Sequence, residues 1–109
     1  MKTKDKEIVY KKTNISKKLD IKGYKIEVYA KRPKGFGSNC EAHIVLINDN
    51  SKENELYIEI QAMDKENAII SLVNFFIKDA PKNEIIRKNN VFKEIKSCSN
   101  IKNLNIFAG

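Results

Sequence analysis

Three stretches of strict alternation constrain this chain more than anything else in it. Tyr24, Ile26, Val28 and Ala30 fall on one side of an extended backbone, with Lys25, Glu27, Tyr29 and Lys31 on the other. Cys40, Ala42, Ile44 and Leu46 alternate with Glu41, His43, Val45 and Ile47. Leu56, Ile58, Ile60 and Ala62 alternate with Tyr57, Glu59 and Gln61. A period of two places each apolar set on one face of a pleated strand, which is then half-buried. The connection Asn48-Asp49-Asn50-Ser51-Lys52-Glu53-Asn54 is rich in residues that bond their own backbone in turns. Three strands with short loops predict an antiparallel meander. Pairing Ala30 with Ala42 and Val28 with Ile44 sets Tyr29 opposite His43. Continuing with Ile44 opposite Ile58 sets His43 opposite Glu59.

Beyond the meander the period changes. Ile69, Leu72, Val73, Phe76 and Ala80 recur at helical spacing, behind Asp64 as N-cap and Glu66 in the first turn. The expected fold class is therefore α+β: an antiparallel β-meander of three to five strands with a main amphipathic helix packed on one face. Ile70, Phe75 and Ile77 widen the apolar surface, which suits a helix packed on two sides or, less favoured, a homodimer interface. Residues 82–96 fit a helix through Ile85, Ile86, Phe92 and Ile95, or a tight hairpin at Asn89-Asn90; the helix is the expectation. Glu7–Lys12 reads as a short strand, and residues 14–21 as a loop or one helical turn stopped by Gly23. Ile101, Leu104, Ile106 and Phe107 read as a final strand or docked tail. Residues 1–109 are expected to form one domain, because cores rarely divide below roughly 150 residues, with 1–7 as a flexible N-terminal tail.

Charge is unevenly distributed. The chain carries a net +7, but residues 1–35 hold 12 basic and 4 acidic side chains, residues 36–80 hold 3 and 8, and residues 81–109 hold 6 and 2. Its 19 Lys, 13 Asn and 16 Ile point to an AT-rich genome, such as a low-GC bacterium, its plasmids or its phages. Uniform codon bias would not segregate charge in this way, so the basic ends favour an anionic partner. No apolar run approaches transmembrane length and the patch Ile8-Val9-Tyr10 is too short for a signal-peptide core, so a cytoplasmic location without a membrane partner is expected. Cys40 and Cys98 are then read as two free thiols in preference to a disulfide. One His and two distant Cys give no metal site, and no cofactor is expected.

The strongest candidate site is the loop Lys31-Arg32-Pro33-Lys34-Gly35-Phe36-Gly37-Ser38-Asn39. Lys31, Arg32 and Lys34 supply charge, Gly35 and Gly37 let backbone N–H groups approach a phosphate, and Phe36 is poised to enter a groove. Lys17, Lys18, Lys22, Lys25, Arg87 and Lys88 are candidates to extend that surface. Two arginines leave little for bidentate guanine readout, so contacts to phosphate are expected to dominate. A second candidate site is a sheet face with Tyr29, His43, Tyr57 and Glu59, suited to stacking on a base. No arrangement supplies a nucleophile and its base, and no catalytic residue is assigned.

The expected function is a small basic nucleic-acid-binding protein of a mobile genetic element, with DNA favoured over RNA. The alternative is a protein-binding inhibitor or immunity-type module, such as a phage anti-defence protein, without catalytic activity; Tyr29, Tyr57, Val45 and Ile47 would be its surface. The order of meander then helix over Tyr24 to Ile77 resembles the double-stranded-RNA-binding domain, with the Lys31–Asn39 loop in the place of that family's groove-probing loop. At the helix start, however, Lys65-Glu66-Asn67-Ala68-Ile69 retains only Lys65 and Ala68 of the family's Lys-Lys-x-Ala-Lys stretch. No functional residue is carried over.

Overall fold

Among the described residues, every regular element longer than a single turn is a strand. The computed structural model describes residues 7–12, 16–35, 37–49, 55–78 and 80–109. Within them run β1 (Glu7–Lys12), β2 (Ser16–Ile21), β3 (Tyr24–Lys31), β4 (Glu41–Asn48), β5 (Leu56–Met63), β6 (Ile69–Ile77), β7 (Ile85–Val91) and β8 (Asn103–Ala108). They form two antiparallel four-stranded sheets, ordered β1-β8-β5-β6 and β2-β3-β4-β7. The inner faces of both sheets share one apolar core, which makes the fold a β-sandwich. The flexible-tail expectation for residues 1–7 falls, apart from Glu7, outside the described residues.

The alternating runs are strands, and their core-facing sets are those expected. Tyr24, Ile26 and Val28 of β3, Ala42, Ile44 and Leu46 of β4, and Leu56, Ile58, Ile60 and Ala62 of β5 are all buried. The register of β3 on β4 pairs Ala30 with Ala42, Val28 with Ile44 and Tyr29 with His43, as the alternation predicts. The meander stops there. β5 lies in the other sheet, between β6 and β8, so the expected pairing of Ile44 with Ile58 does not form.

The α+β expectation is overturned. Among the described residues there is no α-helix, and the segment expected to be the main helix is β6, paired along its length with β5. Six of its nine residues, Ile69, Ile70, Val73, Phe75, Phe76 and Ile77, are β-branched or aromatic, types that suit a pleated surface and lose side-chain freedom in a helix. From Ser71 onward burial follows period two: Ser71, Val73, Phe75 and Ile77 are inside, whereas Leu72 and Phe76 are about half exposed at 48% and 51%; Ile69, beyond the register shift that pairs it with Met63, is exposed as well at 52%. Asp64 caps a turn instead of a helix. Its Oδ1 accepts from the N–H groups of Glu66 and Ala68, closing the β5–β6 connection, and Asn67 takes the left-handed conformation at φ 63°. With no helix after the strands, the likeness to the double-stranded-RNA-binding domain also falls away.

Residues 82–96 are neither helix nor hairpin. Ile85–Val91 is an edge strand on β4, with Asn89 and Asn90 inside it, opposite His43 and Ala42. Residues 14–21 were expected to be a loop or helical turn, but Ser16–Ile21 is β2. Lys22 and Gly23, at φ 53° and 81°, form the two-residue hairpin turn into β3, where both positions need positive φ. β8 is the expected final strand.

Two features pin the crossings between sheets. Asn48 is fully buried; its side-chain amide donates to Ala80 O at 2.6 Å and its backbone carbonyl accepts from Asn83 N at 2.8 Å, fixing the passage from β6 to β7. At the other end of the sandwich Cys40 and Cys98 are joined in a disulfide, with Cα atoms 5.2 Å apart. The free-thiol expectation is thus corrected: the β3–β4 loop and the chain after β7 meet because Phe92 and Ile95 anchor in the core beside Cys40. Phe92 N donates to Cys40 O and Cys40 N donates to Ile95 O, which brings Cys98 within reach.

Candidate phosphate-binding end

The loop cations do not stand alone. Lys31 ends β3, and Lys31, Arg32 and Lys34 are all exposed. Gly35 and Gly37 sit at φ 139° and 79°, conformations that side-chain-bearing residues rarely adopt. The Arg32 Nε–H donates to Ser38 O at 2.9 Å, so the guanidinium closes the loop across its base and keeps its outer N–H groups for a ligand. Phe36 lies outside the described residues.

Against this loop packs the segment between β7 and β8. Asn39 Nδ2 donates to Lys93 O at 2.9 Å, Lys96 Nζ donates to Gly37 O at 3.2 Å, and the disulfide joins the two segments. Lys31, Arg32, Lys34, Lys93 and Lys96 therefore crowd one end of the sandwich. The nearby Glu94 is turned aside, accepting from Ser71 Oγ at 2.6 Å. Lys93 and Lys96 were not singled out from sequence. The signal that would have found them is the cysteine pair, which places residues 93–98 beside residues 37–40.

The other candidate cations are dispersed. Lys22 is in the β2–β3 turn at the opposite end of β3, where its Nζ donates to Glu55 O at 3.4 Å. Lys25 lies near that end, 3.9 Å from Asp49. Lys18 and Arg87 share a cross-strand row on the outer face of the β2-β3-β4-β7 sheet, but Glu27 and Val45 stand between them. Lys17 occupies the register position opposite Val28. Lys88 pairs with Ile44 and so projects on the other side of its sheet. Of the expected set, only the loop cations form a cluster.

The expected sheet-face site divides in two. On the outer face of the β2-β3-β4-β7 sheet, the Tyr29 and His43 rings stack with centroids 5.1 Å apart and planes 9° from parallel. His43 Nε2 is 3.1 Å from Glu41 Oε1, without hydrogen-bond alignment, and the same oxygen accepts from Asn89 Nδ2 at 3.2 Å. Beyond this stack lies a shallow depression of about 450 Å³ with Val45 and Ile47 at its floor and Lys18, Asp20, Lys25 and Glu27 at its rim. Tyr57 and Glu59 are on the outer face of the opposite sheet and cannot complete a row with His43. There the Tyr57 hydroxyl is 2.8 Å from Asn74 Oδ1 and 3.3 Å from Glu59 Oε1, and Gln61 donates to Glu59 Oε2 at 2.8 Å.

Partial burial pushes the Tyr57 phenol above its ordinary range, and the negative charge of Glu59 and the hydrogen bond to it push in the same direction. The unfolded chain then loses this proton at a lower pH than the folded protein does. The contribution is whole below pH 10, the phenol's ordinary value, and is lost as pH rises from there through the raised value. Tyr57→Phe is expected to flatten the alkaline fall in stability, measured as denaturant midpoint from about pH 9 to pH 12. An unchanged slope would remove the assignment.

Among the described residues no group of three His, Cys, Asp or Glu side chains is placed to hold a metal ion, and no helix is long and apolar enough to cross a membrane. What the fold and its end define is a small β-sandwich carrying a disulfide-stapled cationic loop cluster. No protein-family model matches the chain, and no curated protein matches it. Among solved structures, the enzymatically active domain of bacteriophage CBA120 tailspike protein 4 aligns over 98% of this chain and 17% of its own, at 7% identity and a TM-score of 0.28. The chain thus spans about a sixth of that protein, and a likeness this slight carries no argument about fold or activity.

Proposed function

We propose that the protein binds nucleic acid, DNA in preference to RNA, by gripping phosphates with the end formed by Lys31, Arg32, Lys34, Lys93 and Lys96. The observation that supports it most is the joining of two cationic segments by the disulfide and the Asn39 and Lys96 hydrogen bonds. The backbone segments that carry these cations are held together before a ligand arrives, so binding orders less chain than it would in two loose loops. One arginine among four lysines suits phosphate contact more than base readout. No catalytic residue is assigned to this end. The reading keeps the mobile-element origin that the composition suggests. It does not keep the cytoplasmic expectation, because a disulfide persists better in an oxidising compartment.

The test is a salt titration of binding to duplex DNA, single-stranded DNA and RNA. Lys31, Lys34 and Lys93 are exposed and hold no described contact through their ammonium groups, so Lys→Ala at all three should spare the fold. The slope of log affinity against log salt should fall by at most ~2.7, at ~0.9 for each phosphate of duplex DNA that is no longer neutralised. An unaltered slope and affinity would sink the role of this end.

A second reading, a protein-binding module of inhibitor or immunity type, is favoured by one observation. Ile69, Leu72 and Phe76 are large apolar side chains exposed together on the outer face of β6. Such patches mark association surfaces. Co-purification of a protein that survives nuclease treatment would support it.

A further inference from the structure

The two sheets are open along one side, where β6 and β7 are both edge strands. The free edge of β6 can be identified from the ladder. Tyr57 and Gly109 exchange both backbone hydrogen bonds, so Tyr57, Glu59 and Gln61 bond toward β8. The intervening Ile58, Ile60 and Ala62 then bond toward β6, through Phe75, Val73 and Ser71. This leaves the N–H and C=O groups of Leu72, Asn74 and Phe76 aimed away from β5, with no strand beyond them among the described residues. One is already approached from across the gap: Asn90 Nδ2 lies 3.5 Å from Asn74 O, where a strand's N–H would donate.

Edges of soluble proteins are usually guarded by charge, proline or a covering loop. The nine residues of β6 contain no charge and no proline. Two shallow depressions lie between β6 and β7. One, of about 430 Å³, is lined by Asn74, Phe76, Arg87, Lys88 and Asn90; the other, of about 280 Å³, by Leu72, Asn74, Val91, Lys93 and Glu94 among others, where the Glu94 carboxylate accepts from Ser71 Oγ and Arg87, Lys88 and Lys93 leave the seam net positive. The two lips differ in character. Leu72 and Phe76 give the β6 lip an apolar outer side, while the β7 lip is cationic.

We infer that this seam accepts an extended peptide as an additional strand on β6, with apolar residues alternating with acidic ones. Side chains of an added strand alternate between the two faces of its sheet. Those on the outer face would lie beside Leu72, Asn74 and Phe76, where an apolar residue covers exposed apolar area. Those on the inner face would point across the gap to the side of β7 that carries Lys88 and Asn90, the residues paired with Ile44 and Ala42. A carboxylate there meets Lys88. Charge complementarity separates this occupant from a second copy of the chain, whose own β6 would bring no acid to Lys88 and whose +7 charge would add repulsion. Apart from Lys93, which lines its second depression, the seam uses backbone and side chains outside the phosphate-gripping end, and it gives the protein-binding reading a defined ligand chemistry. Loss of phosphate binding would leave it standing.

The experiment follows backbone amides by NMR and hydrogen exchange while a peptide of about eight residues alternating valine and glutamate is added. Protection should appear at the N–H groups of Leu72, Asn74 and Phe76. Lys88→Glu should weaken binding about tenfold and reverse the preference toward a valine–lysine peptide. Asn74→Pro removes an edge N–H that makes no ladder bond, so it should leave the fold intact and abolish binding. Absence of protection at these three amides overturns the inference, as does equal binding of the two peptides by the unaltered protein. Protection without peptide, growing with protein concentration, would overturn it in favour of a second copy.

Discussion

Replacing both Cys40 and Cys98 with alanine is expected to lower the unfolding free energy by roughly 4 kcal/mol, for a crosslink that spans 58 residues of chain. For a domain of this size that corresponds to a fall in Tm of about 15–30 °C. Loop entropy is one source of the effect, since the crosslink restricts the unfolded chain. Local packing adds to it: Cys40 is fully buried beside Phe92 and Ile95, whose anchoring positions the segment that carries Lys93 and Lys96. Reduction of the unaltered protein should therefore lower the melting temperature by a similar amount. It should also loosen the cationic end, so phosphate affinity should drop even at temperatures where the sandwich remains folded. Equal melting curves for oxidised and reduced protein would show that the bridge is dispensable, and the stapled-end account would fail with it.

The strands that could be read from sequence are those with one apolar and one polar face. β3 shows the clearest case, because Lys25 and Glu27 mark its outer face without ambiguity. β4 and β5 follow the same rule, and the register that stacks Tyr29 on His43 could be deduced from the pattern alone. Which sheet each strand joins could not. Nothing in the sequence between Asn48 and Leu56 distinguishes a return within one sheet from a passage to the other. β7 was obscured for the opposite reason. As an edge strand it places only Ile86, Lys88 and Asn90 toward the interior side, so no apolar alternation survives. At the site, the charge of the β3–β4 loop was legible from composition and glycine placement. Its completion by Lys93 and Lys96 was not, because it depends on the cysteine pairing that the cytoplasmic expectation set aside.

Both faces of β6 are apolar, so its sequence fits a helical stripe as well as a strand, and the two arrangements differ in a directly testable way. A helical stripe assigns Phe76 to the core with Ile69 and Leu72; the strand assigns Phe75 there instead, at 6% exposure against 51% for Phe76. The two aromatic neighbours must then respond oppositely to truncation. Phe75→Ala removes a ring from between the sheets and should cost about 3–5 kcal/mol, the transfer free energy of the ring plus the cavity left behind. Phe76→Ala exposes little that was not already in water, and it also removes the ring over which Lys78 Nζ sits, 5.8 Å from the centroid. Such a cation–ring attraction at an exposed site is worth about 0.5–1 kcal/mol, so the total loss should stay near that figure. Denaturant unfolding of the two variants separates the alternatives by several kcal/mol. Equal losses, or a larger loss at Phe76, would contradict the strand and with it the open edge that Leu72, Asn74 and Phe76 present.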